Sequence, residues 1–140
     1  MLHLHILTIG KTKEKWLEEA LREYIRRLSN TLTINIVIAK DDTHLFSLAE
    51  QYPQIICLDP TGREMSSEQF STFVTSQFEQ GGSHLTFIIG GAEGLPQGMK
   101  STYPLISLSR LTFTHQITRL VLLEQVYRAL EIARGSKYHK

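Results

Sequence analysis

Apolar residues along this chain switch repeatedly between the two-residue spacing of a strand and the three-to-four-residue spacing of a helix. The pattern predicts strands over residues 2–9, 33–39, 54–59, 85–89 and 105–109, and helices over residues 13–28, 66–78 and 116–133. Residues 45–50 predict a short helix at most. In the first helix, Trp16, Leu17 and Leu21 fall on the apolar face.

Strands that alternate with helices are typical of an α/β fold, in which helices cover both faces of a mostly parallel sheet. The runs QIICL and LTFII are apolar throughout, as expected of strands buried on both sides. No linker, repeat or low-complexity tract interrupts the pattern, so residues 1–140 are expected to form a single domain. Ligands of such folds bind beyond the carboxyl ends of the strands, here after Leu58, Ile89 and Ser107.

Composition excludes several classes of protein. The chain is 41% hydrophobic and 21% charged, and no stretch has the roughly 18 consecutive apolar residues of a membrane span. The single cysteine, Cys57, excludes an internal disulfide, fits a reducing cytoplasm and is interpreted as a buried hydrophobe. The net charge of +1 divides into +2 over residues 1–30, −5 over residues 31–109 and +4 over residues 110–140. A basic C-terminal segment suits a polyanion, but it also suits a solvated helix surface.

Two loops after late strands have the composition of ligand-binding segments. In IIGGAEGLPQG (residues 88–98), Gly90 and Gly91 allow a sharp turn and a close approach of the backbone to a ligand. Neither the dinucleotide fingerprint nor a P-loop is present at this spacing. In ISLSRLTFTHQITR (residues 106–119), small polar residues leave backbone groups free, and Leu108, Leu111 and Phe113 can form apolar walls around a flat heteroaromatic group such as adenine. Each loop taken alone is also compatible with an ordinary connection.

The last segment, EQVYRALEIARGSKYHK, ends in a tail rich in functional groups. Glu124 and Arg128 are i,i+4 partners on the last helix, and Gly135 ends that helix. An aromatic ring, an imidazole and two amines then follow within four residues, although terminal tails are often frayed. The remaining histidines lack the spacing of metal ligands, so no metal is expected; they include His3, His5, His44 and His84.

Four blocks in this order resemble one family. LDPTG follows the third strand, IIGGAEG follows the fourth, and SLSRLTFTHQITR and LLEQVYRALEIARGSKYHK complete the chain. These blocks are similar to the ribosomal RNA large subunit methyltransferase H family, a small single-domain branch of the SPOUT methyltransferases. The N-terminal LTIGKTKEKWLEEALREYIRRL also fits, so the resemblance spans almost the whole chain. As departures, residues 40–53 are fewer than in typical members, and Ala92 and Gln116 stand where proline is common.

The resemblance implies a C-terminal trefoil knot and a homodimer that joins each cofactor pocket to the partner's tail. It implies a cytoplasmic enzyme that uses neither a membrane nor a metal. The implied cofactor is S-adenosylmethionine, bound against Leu58, Gly91, Leu108, Ser109, Arg110, Leu111, Thr112 and Phe113. The implied reaction is methylation of N3 of a pseudouridine in 23S rRNA on the assembled ribosome.

The acceptor in this reaction is an imide nitrogen whose proton must leave as the methyl group arrives. A general base, or a charge that stabilises the imide anion, is therefore required. By the resemblance, the catalytic candidates are Tyr138, His139 and Arg128, and the RNA-binding candidates are Arg134, Lys137 and Lys140. His115 and Arg119 also match family positions, where they either shape the cofactor loop or contact RNA.

Two other functions stay open at this point. One is a nucleotide-binding or RNA-binding module that uses the same pocket without catalysis. The other is a SPOUT methyltransferase that acts on tRNA. Transfer of a labelled methyl group separates the enzyme from the binding module, and the RNA that takes up the label separates the two enzymes.

Overall fold

Five strands and five helices follow one another in a computed structural model that describes residues 1–140. In chain order they are β1 (Leu2–Ile9), α1 (Lys15–Leu28), β2 (Leu32–Ala39), α2 (Asp42–Ala49), β3 (Ile55–Glu64), α3 (Ser67–Gln80), β4 (His84–Ile88), α4 (Met99–Thr102), β5 (Leu105–Ser107) and α5 (His115–Ala133). α4 has no counterpart among the predicted helices, and the other bounds lie within a few residues of the predicted ones, except at the end of β3. None of the helices is both long and apolar enough to cross a membrane.

All neighbouring strands of the single sheet are parallel, in the order β2-β1-β4-β3-β5. β1 lies inside the sheet, where Leu7 is in register with Val37 of β2 on one side and Ile88 of β4 on the other. The predicted α/β fold with a mostly parallel, helix-covered sheet is confirmed. The trefoil knot is not defined by these strand pairings and stays a prediction.

Helices cover both faces of the sheet. α1, α3 and α5 pack on one face around a large apolar cluster that includes the fully buried Leu4, Phe87 and Leu122. α2 and α4 pack on the other face, around a smaller cluster that includes Leu7 and Met99. Burial of one such side chain contributes about 1.5–3 kcal/mol to folding. Coverage of both faces explains why the central strands are apolar at consecutive positions.

The single cysteine lies in the smaller cluster. Cys57 is fully buried, and burial together with the nearby charge of Asp59 raises the pKa of its thiol to about 12. A thiol with so high a pKa is not a nucleophile near neutral pH. Cys57 is therefore a core residue.

Local sequence signals set the start of two helices beside the site. The Ser66 hydroxyl accepts a hydrogen bond from the Gln69 backbone N–H at 3.1 Å, and the Gln69 side chain accepts one from the Ser66 N–H at 2.9 Å, which makes a capping box for α3. The Thr114 hydroxyl accepts from the Ile117 N–H at 3.2 Å and caps α5. These caps fix where the chain leaves the loops at the carboxyl end of the sheet.

The predicted apolar face of α1 is wrong at one position. Leu17 and Leu21 are buried, whereas the side chain of Trp16 is 55% exposed. Successive helical residues point about 100° apart. Trp16 therefore lies at the edge of the buried helix face that Leu17, Leu21 and Leu28 form. Apolar character alone placed it in the core.

The predicted end of β3 at Asp59 is also wrong. The strand continues beyond the Pro-Thr-Gly sequence, and both Leu58 and Arg63 lie opposite Ile106 of β5. The residues between them leave the pairing register and form an irregular bulge. Gly62 in this bulge lies so close to β5 that a Cβ there would approach the carbonyl carbon of Ile106 to 2.6 Å. The bulge turns the chain back onto β5 and leaves Asp59 at the carboxyl edge of the sheet.

Three imidazoles meet on the sheet face that carries Leu7. His3 and His5 share this face because residues alternate along β1, and His84 lies opposite His3 on β4. The rings of His3 and His84 stack with their centroids 4.6 Å apart, and His5 Nε2 lies 3.0 Å from His84 Nδ1. No group of three or more His, Cys, Asp or Glu side chains in the chain has the arrangement of a metal site. In this cluster the ring nitrogens contact one another and neighbouring side chains.

Stability is expected to fall as the pH decreases from about 7.5 to 5.5. Burial lowers the pKa of His5 below its ordinary 6.5, and the charges of His84 and His3 lower it further. The unfolded chain therefore takes up a proton near pH 6.5 while the folded chain resists it, so the folded state loses stability as the pH falls through this window. Thermal unfolding across this range should show a declining Tm, with a smaller decline in His5→Gln. An equal decline in both proteins would contradict this explanation.

Candidate active site

A cavity of about 460 Å³ opens at the carboxyl ends of β3, β4 and β5. Three loops line it: the start of the β3 bulge, the glycine turn after β4 and the loop from β5 into α5. Seven of the residues predicted to hold the cofactor lie in its wall, namely Leu58, Gly91, Leu108, Ser109, Leu111, Thr112 and Phe113. The structure therefore brings together segments that are up to half the chain apart in sequence.

Arg110 is the one predicted cofactor residue that lies outside this wall. Its side chain is 83% exposed, and its Nε lies 3.3 Å from a carboxylate oxygen of Glu64 at the end of β3. The backbone of this loop is turned by the hydroxyl of Ser109, which accepts a hydrogen bond from the Leu111 N–H at 3.0 Å. The Arg110 side chain therefore points away from the cavity, toward Glu64 and solvent.

The two glycines after β4 have different roles. A Cβ on Gly90 would lie 2.4 Å from the carbonyl carbon and oxygen of Gly94, so only glycine fits there. The Gly94 N–H donates to the Gly91 carbonyl at 3.0 Å and closes the turn, with Gly94 itself at a positive φ of 87°. A Cβ on Gly91 would meet only Ile9, at an ordinary 3.5 Å. Gly90 is therefore required by the fold, whereas Gly91 leaves open space in the cavity.

Asp59 is a cavity residue that the sequence reasoning missed. Its nearly buried carboxylate accepts hydrogen bonds from the Thr61 N–H at 3.0 Å and from the Thr61 hydroxyl, and lies 3.2 Å from Lys100 Nζ. Burial by itself raises the pKa of Asp59, but these hydrogen bonds and the Lys100 charge outweigh it and hold the pKa below its usual range. The cavity wall thus carries one ionised carboxylate near neutral pH. An acidic residue directly after a buried strand was the available signal.

His115 faces the cavity from the first turn of α5. A Cβ on Gly10 would lie 3.2 Å from His115 Nε2, so the ring packs against the bare backbone at the end of β1. Burial lowers the pKa of His115, and the neighbouring charges of Arg119 and Lys13 lower it further. The imidazole is therefore mainly neutral at pH 7.

Arg119 lies behind the cavity wall and is buried, with only 1% of its surface exposed. Its guanidinium donates to the Thr12 hydroxyl at 3.0 Å, the Thr8 hydroxyl at 3.2 Å and the Ile9 carbonyl at 2.9 Å, and also to the Gly10 carbonyl. These bonds fix the turn that follows β1 against α5. Of the two roles left open for Arg119, a direct contact with RNA is excluded by its burial.

The predicted catalytic residues come together in a network on the C-terminal tail. The Tyr138 hydroxyl donates to Glu124 at 3.0 Å, and Arg128 donates to the same carboxylate at 2.9 Å. Arg128 Nη1 lies 3.0 Å from His139 Nδ1, and His139 Nε2 lies 3.3 Å from the Glu68 carboxylate. None of these side chains lines the cavity of its own chain.

The predicted RNA-binding residues differ in whether their charge is paired with a carboxylate. Arg134 pairs with the carboxylate of Glu131 through both Nε and Nη2. Lys137 and Lys140 are exposed, and neither takes part in an ion pair. The tail therefore presents two free ammonium groups beside the catalytic candidates.

A parallel sheet with a cavity at its carboxyl edge is typical of α/β proteins that bind small organic ligands. Its sequence identifies the class further. The family described as "Predicted SPOUT methyltransferase" matches residues 2–139, and the chain belongs to that family.

Relatives extend this similarity over the full length. The chain is 59% identical over 140 residues to "Ribosomal RNA large subunit methyltransferase H" of Protochlamydia amoebophila (strain UWE25), with all of both chains covered. It is 36% identical to the protein of that name in Acetivibrio thermocellus and 37% identical to that in Streptococcus uberis, with 99% of this chain and 100% of each relative covered.

A solved structure shares the fold. The crystal structure of TrmJ from Z. mobilis ZM4 matches with a TM-score of 0.57 at 8% identity, over 92% of this chain and 70% of that one. At so low an identity the match supports the architecture alone.

Proposed function

We propose that this chain transfers a methyl group from S-adenosylmethionine to N3 of a pseudouridine in 23S rRNA of the assembled ribosome, in the cytoplasm. The observation that carries the proposal is the cavity itself, which the glycine turn and the loop after β5 form together at the carboxyl edge of the sheet. The names of the full-length relatives support the reaction class and the ribosomal substrate.

The residues present fit the cofactor. The cavity volume of about 460 Å³ lies in the range of small-ligand sites. Gly91 leaves room for a ligand, and Leu108, Leu111 and Phe113 offer apolar surface to its adenine. When bound, S-adenosylmethionine supplies an electrophilic methyl group on its sulfonium. The carboxylate of Asp59, which is paired with Lys100, gives the wall a polar hydrogen-bond acceptor.

Residues of the protein must accept the proton that leaves the acceptor nitrogen. Burial raises the pKa of Tyr138 to about 12, and its hydrogen bonds with Tyr24 and Glu124 contribute to the shift. Tyr138 is therefore a neutral hydrogen-bonding group at pH 7 and suits positioning of the acceptor base. His139 is the candidate proton acceptor, because a ring nitrogen of an imidazole can act as a general base. Arg128, which contacts both residues, orients them and offers positive charge to the developing anion.

A homodimer completes this site in the proposal. The tail of each chain carries the catalytic candidates, yet within one chain none of them reaches the cavity. A second copy that brings its tail to the cavity resolves this separation. In such a dimer, each active site takes its cofactor wall from one protomer and its proton acceptor from the partner.

The proposal is tested by incubating the protein with radiolabelled S-adenosylmethionine and ribosomes from a strain that lacks the modification. We expect label in the large-subunit rRNA at one methyl group per ribosome, and none in tRNA. Cofactor binding by calorimetry without any transfer would identify a binding module instead. Label in tRNA alone would identify a SPOUT methyltransferase of a different specificity.

A further inference from the structure

Half of the Lys and Arg side chains outside the core of this protein are paired with a carboxylate, seven of fourteen. Ion pairs within 4.0 Å involve Arg22, Arg26, Arg27, Lys100, Arg110, Arg128 and Arg134. Three lysines close together differ from these: Lys11, Lys13 and Lys15 are exposed, and none of them takes part in an ion pair. The only acidic residue between them is Glu14. We call these three residues the lysine strip.

The lysine strip lies next to the cavity. It follows the carboxyl end of β1, the strand adjacent to β4, whose own carboxyl end carries the glycine turn. The Lys13 backbone N–H donates to the Gln116 side chain at 3.3 Å, in the first turn of α5. Gly10, directly before the strip, packs against the His115 ring, which lines the cavity. The strip and the cavity wall therefore meet at the start of α5.

The backbone that carries the strip is firmly held. Arg119 donates to the Thr12 side chain between Lys11 and Lys13, and to the Ile9 carbonyl just before them. The ammonium groups thus project from a fixed turn, while their own ends make no contact with acids. Because these ammonium groups are not paired with an acid, no ion pair has to be broken before they contact a counter-charge.

We propose that the lysine strip binds the phosphate backbone of the RNA whose base enters the cavity. This inference rests on the proposed function, since it names the surface that positions the substrate. Unpaired lysines suit phosphate, because an ammonium group is a compact point charge that needs no fixed geometry. Phosphate contacts fix the register of a nucleic acid without reading its sequence, which leaves selection of the base to the cavity.

The test compares two double variants that change the net charge equally. K11Q/K13Q removes two charges of the strip, and R22Q/R26Q removes two exposed, acid-paired arginines farther along α1. Binding to assembled ribosomes that lack the modification is measured by filter binding between 50 and 300 mM salt. For K11Q/K13Q we expect roughly tenfold weaker binding, and a slope of log K against log salt that is about 1.5–2 smaller in magnitude. R22Q/R26Q should retain the wild-type slope.

Further measurements separate the strip from other roles. Calorimetry should give K11Q/K13Q the wild-type affinity for S-adenosylmethionine, and size-exclusion chromatography the wild-type oligomeric state. An unchanged salt slope would overturn the inference, and so would a lost cofactor affinity or an altered oligomer. Failure of the proposed function is distinguishable, because the wild-type protein would then transfer no methyl group to ribosomes at all.

Discussion

Deletion of residues 137–140 should reduce methyl transfer to ribosomes by at least about a hundredfold, because general acid–base groups typically contribute about 10²–10⁴-fold. The deletion removes Tyr138 and His139, the groups proposed to position the acceptor and take its proton. Affinity for S-adenosylmethionine should stay within a few-fold of wild type, because the tail is proposed to act on the acceptor base and no tail residue lines the cavity of its own chain. Single-turnover methylation and calorimetry measure the two quantities separately.

A shorter deletion is the matched control for the tail. Removal of Lys140 alone leaves Tyr138 and His139 with their contacts to Glu124, Arg128 and Glu68. This variant should keep most of its single-turnover rate. If the longer deletion abolished cofactor binding and dimerisation together, the tail would be a structural strap and its catalytic assignment would be wrong.

Gly91→Val should block cofactor binding while the protein still folds. A Cβ at Gly91 meets only Ile9 at 3.5 Å, so the backbone accepts a side chain. Because Gly91 lines the cavity, we expect the added methyl groups to take up space that the cofactor needs. Overpacking of this kind costs about 1–3 kcal/mol, which corresponds to roughly a five- to hundredfold loss of affinity. Calorimetric titration with S-adenosylmethionine measures the loss, and thermal unfolding should show a Tm close to wild type.

Substitutions at Gly91 and Gly90 distinguish an effect on cavity volume from an effect on the stability of the glycine turn. Gly91→Ala should weaken binding less than Gly91→Val, because it adds a single methyl group. Gly90→Ala should instead lower the Tm, because its Cβ would lie 2.4 Å from the Gly94 backbone. Unchanged cofactor affinity in Gly91→Val would remove the glycine turn from the site.

Local sequence patterns predicted most of the fold, and they failed where distant residues decide the structure. Strand and helix periodicity located all five strands and the three long helices. The extension of β3 was missed because Arg63 pairs with Ile106 of β5, more than forty residues away, while the local Pro-Thr-Gly sequence is typical of a turn. Trp16 was misplaced because apolar character does not show whether a neighbour covers a residue.

The site shows the same limit at the level of single side chains. Glycines after a strand predicted the turn at Gly91, and the resemblance supplied the loop after β5. Neither indicated that the Arg110 side chain points to solvent, since that depends on the position of Glu64. The stacking of His84 on His3 likewise arises from the pairing of β4 with β1, which joins residues about eighty positions apart.

The bonds between Arg119 and the end of β1 connect residues more than a hundred positions apart. A polypeptide emerging from the ribosome therefore cannot fix the end of β1 against α5 until Arg119 has been synthesised. Such high contact order slows folding, because the entropy of closing long loops is lost before the late contacts form. A translation product that stops before Arg119 would lack the bonds that hold the turn beside the cavity.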